Sequence, residues 1–262
     1  MEEREAILEL RAHNGLAVIS KPNSKRLQIE IACPSRNLAR QLIREFGGRS
    51  EKLARNWLKR FGREQKNKPL RIGKRLVVLR SSRKREAVSF PYRLVIPAGA
   101  AFGTGEHVTT AMSLRLLERL TRSWKSDWSL VDLGTGSGII ALAAKRFGAG
   151  RVWGIDSDPI AISTAKENAC VNRIGNIQFA VADVRCWKFP AKTDVITANL
   201  FCDLLIELLP KLKRTQWLIF SGVLRTQEKQ FVRALKSHKI DIVKTRRRGK
   251  WIALLAKQLG RS

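Results

Sequence analysis

Val131-Asp-Leu-Gly-Thr-Gly-Ser-Gly138, followed by the apolar run Val152-Trp-Gly-Ile155 and Asp156, is the stretch that decides the fold. An apolar strand that feeds three glycines at alternate positions must turn sharply and leave bare backbone amides open to a ligand. The amphipathic stretch from Ile139 to Phe147 reads as a helix whose N-terminal end faces that ligand. Asp156 ends the next strand, where a carboxylate can hold two ribose hydroxyls. A dinucleotide fingerprint requires a third glycine where this chain has Ile139. The spacing therefore reads as an S-adenosylmethionine (SAM) loop rather than a nicotinamide one.

Outward from that loop, strand candidates at Leu130–Leu133, Val152–Ile155, Ile177–Val181, Val195–Ala198, Leu218–Phe220 and Ile240–Val243 alternate with helix candidates at Ile139–Phe147, Pro159–Val171, Asp203–Leu212 and Thr226–Ser237. Repeated strand–helix order predicts an α/β doubly wound, mostly parallel Rossmann-like sheet, which with a terminal hairpin resembles the seven-stranded architecture of class I methyltransferases. Ile240–Val243, a polar turn around Arg248-Gly249, and Trp251–Ala256 predict an antiparallel terminal hairpin. Ahead of this lies a small α+β module. It has a strand at Leu27–Ala32, a helix from Ser35 to Phe46, an amphipathic segment Glu51–Phe61 carrying Trp57, and a strand at Arg75–Arg80. The expected organisation is a basic N-terminal module over 1–80, a linker over 81–96 (with Ser81–Arg85 its clearest part) and a catalytic domain over 97–262.

The 262 residues are 44% hydrophobic, enough for a full core. No apolar run approaches the roughly 18 residues of a membrane span, and the acidic start Met1-Glu-Glu-Arg-Glu is not a targeting segment. Four scattered cysteines without a C-x-x-C pair, with three dispersed histidines, imply reduced thiols, a cytoplasmic setting and no metal site. Cys202 reads as a packing thiol. Charge is the outlying property: 51 basic against 22 acidic residues, a net +29. Arg49–Glu86 alone carries 15 basic and 3 acidic residues. Such a field draws polyanions and makes their binding salt-dependent, so a nucleic-acid-rich partner is expected.

Pro97-Ala-Gly-Ala-Ala-Phe-Gly-Thr-Gly-Glu-His-Val-Thr-Thr110 precedes the first strand of the sheet and leads into an amphipathic helix ending near Leu120. Three glycines in seven residues deny this loop a side-chain core and suit it to lie over a cofactor. Ala101–Thr110 resembles the A-F-G-T-G-T-H-P-T-T signature of the PrmA family, which methylates protein eleven of the large ribosomal subunit. Asp132–Gly138, Gly154-Ile-Asp-Ser-Asp158, Ala198-Asn-Leu200 and Ser221-Gly-Val-Leu224 match that family in order, and Lys68–Leu76 resembles its linker. The resemblance covers about residues 66–257 and differs at Glu106 and Val108, where the family has Thr and Pro.

The resemblance implies SAM contacts at Thr110, Gly134, Asp156 and Asn199. Phe102, Gly103, Gly136, Gly138 and Asp183 complete the candidate cofactor set. For Asp183, a strand-end cap is an equal alternative. Asp158 is expected to cap the Pro159 helix. Asn199 is the candidate catalytic residue, its carbonyl accepting a hydrogen of an acceptor amine. His107 either lines the methyl channel or shuttles a proton, or it is a structural hydrogen-bonding histidine. The implied substrate is amino groups of a ribosomal protein, with ribosomal RNA contacted by the basic N-terminal module. An RNA base methyltransferase and a non-catalytic RNA-associated factor are the alternatives. Asn199-Leu-Phe-Cys202 lacks the prolines of the Asn-Pro-Pro-Tyr motif typical of base methyltransferases, although Phe201 offers a stacking face.

Overall fold

A period of two in the apolar pattern gives strands and a period near 3.6 gives helices, and both are realised in the structure, a computed structural model. It describes residues 16–20, 27–31, 36–50, 69–80, 90–97, 107–212 and 215–259. The expected amphipathic segment Glu51–Phe61, the linker Ser81–Arg85 and the loop residues Phe102 and Gly103 lie outside the described residues. The chain divides into two units, Met1–Phe61 and Gly62–Ser262. In the first, β1 (Leu16–Ser20) and β2 (Leu27–Ile31) pair antiparallel, and α1 (Arg36–Phe46) follows. Gly47 ends that helix in the left-handed region, as the Gly47-Gly48 pair suggests.

The second unit opens with β3 (Leu70–Ile72), β4 (Leu76–Leu79) and β5 (Tyr92–Val95). β3 and β4 form a hairpin and β5 adds in parallel. The sequence reading put β4 in the N-terminal module and 81–96 in a linker, whereas these strands lie within the larger unit. Asn172 shows what holds the small sheet there. Its side-chain amide donates to the Val95 carbonyl at 2.7 Å, and its carbonyl accepts from the Val95 N–H at 2.7 Å. A side chain thus supplies both bonds that a further strand would supply.

Then follow α2 (Val108–Leu120), β6 (Trp128–Leu133), α3 (Ile139–Arg146), β7 (Ala149–Asp156), α4 (Pro159–Val171), β8 (Ile177–Val181), β9 (Thr193–Asn199), α5 (Cys202–Leu208), a 3₁₀ turn Leu209–Leu212, β10 (Thr215–Leu224), a 3₁₀ turn Arg225–Gln227, α6 (Glu228–Ser237), β11 (Ile240–Arg248) and β12 (Trp251–Gln258). The strand order is β11-β12-β10-β9-β6-β7-β8. The pairs from β10 through β8 are parallel, while β12 is antiparallel to both β10 and β11. This is the expected sheet with its terminal hairpin. The hairpin differs in one respect: β11 runs through Arg248 and only Gly249-Lys250 form the turn.

All six residues of β6 are buried, as a central parallel strand covered on both faces requires. One polar break in it, Ser129, is satisfied by the Asp194 carboxylate, which accepts from both the Ser129 hydroxyl and its N–H. One face of the sheet packs against Leu114, Leu117, Ile139 and Leu142 of α2 and α3, the other against Leu205, Leu208, Phe231 and Leu235 of α5 and α6. Each such leucine contributes on the order of 1.5–3 kcal/mol on burial. Phe231 meets Phe220 edge to face at 5.3 Å and fixes α6 on β10. Among the described residues no helix is long and apolar enough to cross a membrane.

Candidate active site

Parallel strands deliver their C-terminal ends to one edge, and the order reverses between β6 and β9, so a crevice opens there. Gly134, Gly136 and Gly138 line its floor with φ of 67°, 52° and 76°. L-residues resist that conformation, and two of the three positions are also crowded: a Cβ on Gly134 would lie 2.5 Å from Leu200 Cδ2, and one on Gly138 2.9 Å from Ala165 Cβ. The loop ends in Gly138, whose carbonyl accepts from the Leu142 N–H and starts α3.

Asp132 fastens the loop from below. Its carboxylate accepts from the Thr135 hydroxyl at 2.8 Å and from the Thr197 hydroxyl at 2.7 Å, which joins the glycine loop to β9. Burial pushes its carboxyl up to about 6, and the two threonine bonds only partly offset this. Sequence reading did not single out Asp132. The signal available was an ionisable residue inside a buried apolar strand.

Asp156 ends β7. One carboxylate oxygen accepts from the Gly136 N–H at 2.9 Å and the other from the Asp158 N–H at 3.1 Å. Each oxygen keeps a lone pair that can accept a hydroxyl. Asp158 caps α4, accepting from the Ile160 N–H at 2.8 Å with Pro159 at the first position, as expected. Asp183 is exposed and accepts from the Arg185 N–H at 2.8 Å, with the Arg185 guanidinium at 3.3 Å. These contacts, the backbone N–H first, lower its pKa and give it a cap's geometry.

Asn199 stands half-buried at the end of β9, beside Ser221 of β10. Among the described residues nothing hydrogen-bonds its side-chain amide. Leu200 then crosses above Gly222, whose φ of 87° leaves no room for a Cβ. Phe201, at the N-cap of α5, is 80% exposed. The start of α2 arrives over β10, where the Ser221 hydroxyl donates to the Thr109 carbonyl at 3.3 Å. Thr110 is 1% exposed and its hydroxyl has no partner among the described residues. A buried unpaired hydroxyl costs about 1–3 kcal/mol, which a ligand group can remove. Gly134, Gly136, Asp156, Asn199 and Thr110 thus belong to strand ends and a helix start on one edge, and they fit a nucleoside carrying a small polar tail.

His107 precedes α2. Its Nδ1 lies 2.6 Å from the Thr109 hydroxyl and its ring packs edge to face on Trp251 at 5.4 Å. Burial, then the nearby Lys250 charge, lowers its pKa, so the neutral ring prevails at neutral pH. Cys202 is buried, and burial with the Asp203 charge raises its pKa, which keeps the thiol protonated and suits packing. Among the described residues no group of His, Cys, Asp and Glu could hold a metal ion.

Residues 38–259 match the family model described as ribosomal protein L11 methyltransferase (PrmA). A ribosomal protein L11 methyltransferase of Pelobacter propionicus is 35% identical over 220 residues, covering 81% of this chain and 69% of the relative. One from Clostridium perfringens is 30% identical over 211 residues, covering 79% of this chain and 64% of the relative. The chain thus spans about two thirds of the length of these relatives. Among solved structures, the ribosomal protein L11 methylase of Lactobacillus delbrueckii subsp. bulgaricus superposes with a TM-score of 0.66 at 27% identity, over 72% of this chain and 98% of that one.

Proposed function

This chain belongs to the ribosomal protein L11 methyltransferase family, and from that premise we propose that it transfers methyl groups from SAM to amino groups, of lysine or of a chain terminus, on a large-subunit ribosomal protein in the cytoplasm. The observation that carries the reading is the meeting of the glycine loop, Asp156 and the Asn199 amide, unbonded among the described residues, at the ends of three neighbouring strands. When bound, SAM supplies an electrophilic methyl on a sulfonium. Asp156 would accept ribose hydroxyls, the close-approaching backbone of the Gly134–Gly138 turn would cradle the polar tail, and the Thr110 hydroxyl would gain a partner. Phe102, Gly103 and Asp183 complete the cofactor set.

A lysine acceptor has an ordinary pKa near 10.4 and must lose a proton to become a nucleophile. The Asn199 carbonyl accepts a hydrogen of the neutral amine and aims its lone pair. Being uncharged, it does not stabilise the ammonium as a carboxylate would. His107, neutral at the crevice rim, serves as a proton acceptor or as a wall of the channel. The basic segment Arg49–Glu86 contacts ribosomal RNA while the protein substrate is presented.

One observation favours a second reading: an exposed phenylalanine directly after the Asn motif can stack a flipped base. Incubation with labelled SAM and unmethylated ribosomes separates the two. Label in a ribosomal protein is the expected outcome. Label in the RNA fraction transfers the assignment to a base, and absence of SAM binding removes the enzymatic reading.

A further inference from the structure

Strand β11 is the outer edge of the seven-stranded sheet, and its two faces differ. Lys244, Arg246 and Arg248 stand opposite Leu255, Ala253 and Trp251 of β12, so all three project on the α2 face. Thr245 and Arg247 stand opposite Leu254 and Ile252 on the other face, where Arg247 pairs with the Glu228 carboxylate. On the α2 face the three cations are exposed, and among the described residues none has a carboxylate partner. Arg115 of α2 adds a fourth cation. It is held in place by the carbonyls of Ala111 and Arg71 and sits close enough to Arg246 and Arg248 for their charges to act on it.

Edge strands use charges to deter pairing with other chains, and mixed or single charges suffice for that. Three cations in a row facing a fixed fourth go further. They repel one another and lower stability unless something anionic joins them. Three alternate residues span about 13 Å of strand, a line that can meet several phosphates of one nucleic-acid backbone. The row also leads to the crevice. Arg248 is opposite Trp251, Lys250 lies 5.4 Å from the Trp251 ring centre, and Trp251 carries His107 at the start of α2.

We propose that the α2 face of β11, through Lys244, Arg246, Arg248 and Arg115, binds the phosphodiester backbone of a folded RNA and so docks the catalytic unit beside its acceptor. RNA binding here does not depend on the methyl-transfer reading. Guanidinium forks match phosphate oxygens in pairs, which favours phosphates over an acidic peptide as the occupant.

The test is fluorescence anisotropy of the full chain with a labelled RNA stem-loop across a salt series. The triple variant Lys244→Gln/Arg246→Gln/Arg248→Gln should bind at least about tenfold more weakly at low salt, and its log–log salt slope should shrink by roughly 2–3. Arg247→Gln, on the opposite face, should keep the parental slope. If the triple variant does not fold, Arg248→Gln alone should reduce the slope by about 1. An unchanged slope in the folded triple variant or in Arg248→Gln overturns the proposal. So does an equal loss in Arg247→Gln, or polyglutamate competing as well as RNA, which would make the partner an acidic protein.

Discussion

On the β6–β7 side of the crevice, Asp132, Thr135 and Asp156 all have protein partners, with Thr197 reaching Asp132 from β9. On the β9–β10 side, the Asn199 amide has none among the described residues, and Phe201 stands in solvent. The first side is finished before any ligand arrives and presents fixed amides and a fixed carboxylate. The second keeps its functional groups open. A site that holds one constant small molecule gains from a rigid floor, because ordering it on binding would weaken affinity. A site that admits part of a macromolecule must leave its bonding groups for the visitor.

The contrast can be broken most decisively at Asn199. Asn199→Ala should lower kcat on the order of 10³-fold, about 4 kcal/mol, with a far smaller loss of SAM affinity in a calorimetric titration. Full turnover would move the amine-orienting role elsewhere. On the rigid side, Asp132→Asn tests the buried lock. The wild-type carboxyl is neutral in both states at low pH. As pH rises from about 4 through about 6 the unfolded chain ionises first, and the fold loses about 3 kcal/mol. The variant lacks that loss, so its stability relative to the parent should climb by about 3 kcal/mol across the window, read from urea midpoints. A flat difference would mean that Asp132 titrates normally.

Gly134→Ala should follow at about 2 kcal/mol of stability, from left-handed strain and displacement of Leu200, with weaker SAM binding. Parental melting temperature and SAM affinity together would show that the floor tolerates a side chain. The smallest effect is expected for Phe201→Ala. Stability should stay within about 0.5 kcal/mol and SAM affinity should hold. KM for the macromolecular substrate should rise about fivefold, near 1 kcal/mol. A change confined to SAM affinity would put Phe201 on the cofactor side.

Much of this was legible because local rules and tertiary packing agree. Pro159–Val171 could be bounded at both ends from Asp158, Pro159 and the periodicity between them. The glycine loop announced its left-handed residues. What stayed hidden depends on partners distant in sequence. Thr197 reaches Asp132 across 65 residues, and nothing local marks the pairing. Strand β5 is four residues long and finds β4 in parallel, so its membership in the larger unit comes from register and from Asn172. The arginines at 246–248 read as a turn because the chain is uniformly polar there. The register shift between Ile242 and Lys244 decides which of them share a face, and a bulge of that kind leaves little trace in composition.

Strand β12 sits inside the sheet, between β10 and β11, although both are made before it. During synthesis the ribosome delivers β10 and then β11 with nothing to bridge them, each showing an unpaired, partly apolar edge. The parallel core from β6 to β9 can assemble earlier, yet the sheet closes only once residues 251–258 emerge and slide into the gap. This order of assembly makes the last strand a late checkpoint. A nascent chain interrupted before Trp251 would be left with adhesive edges, and chaperone dependence should concentrate in that interval.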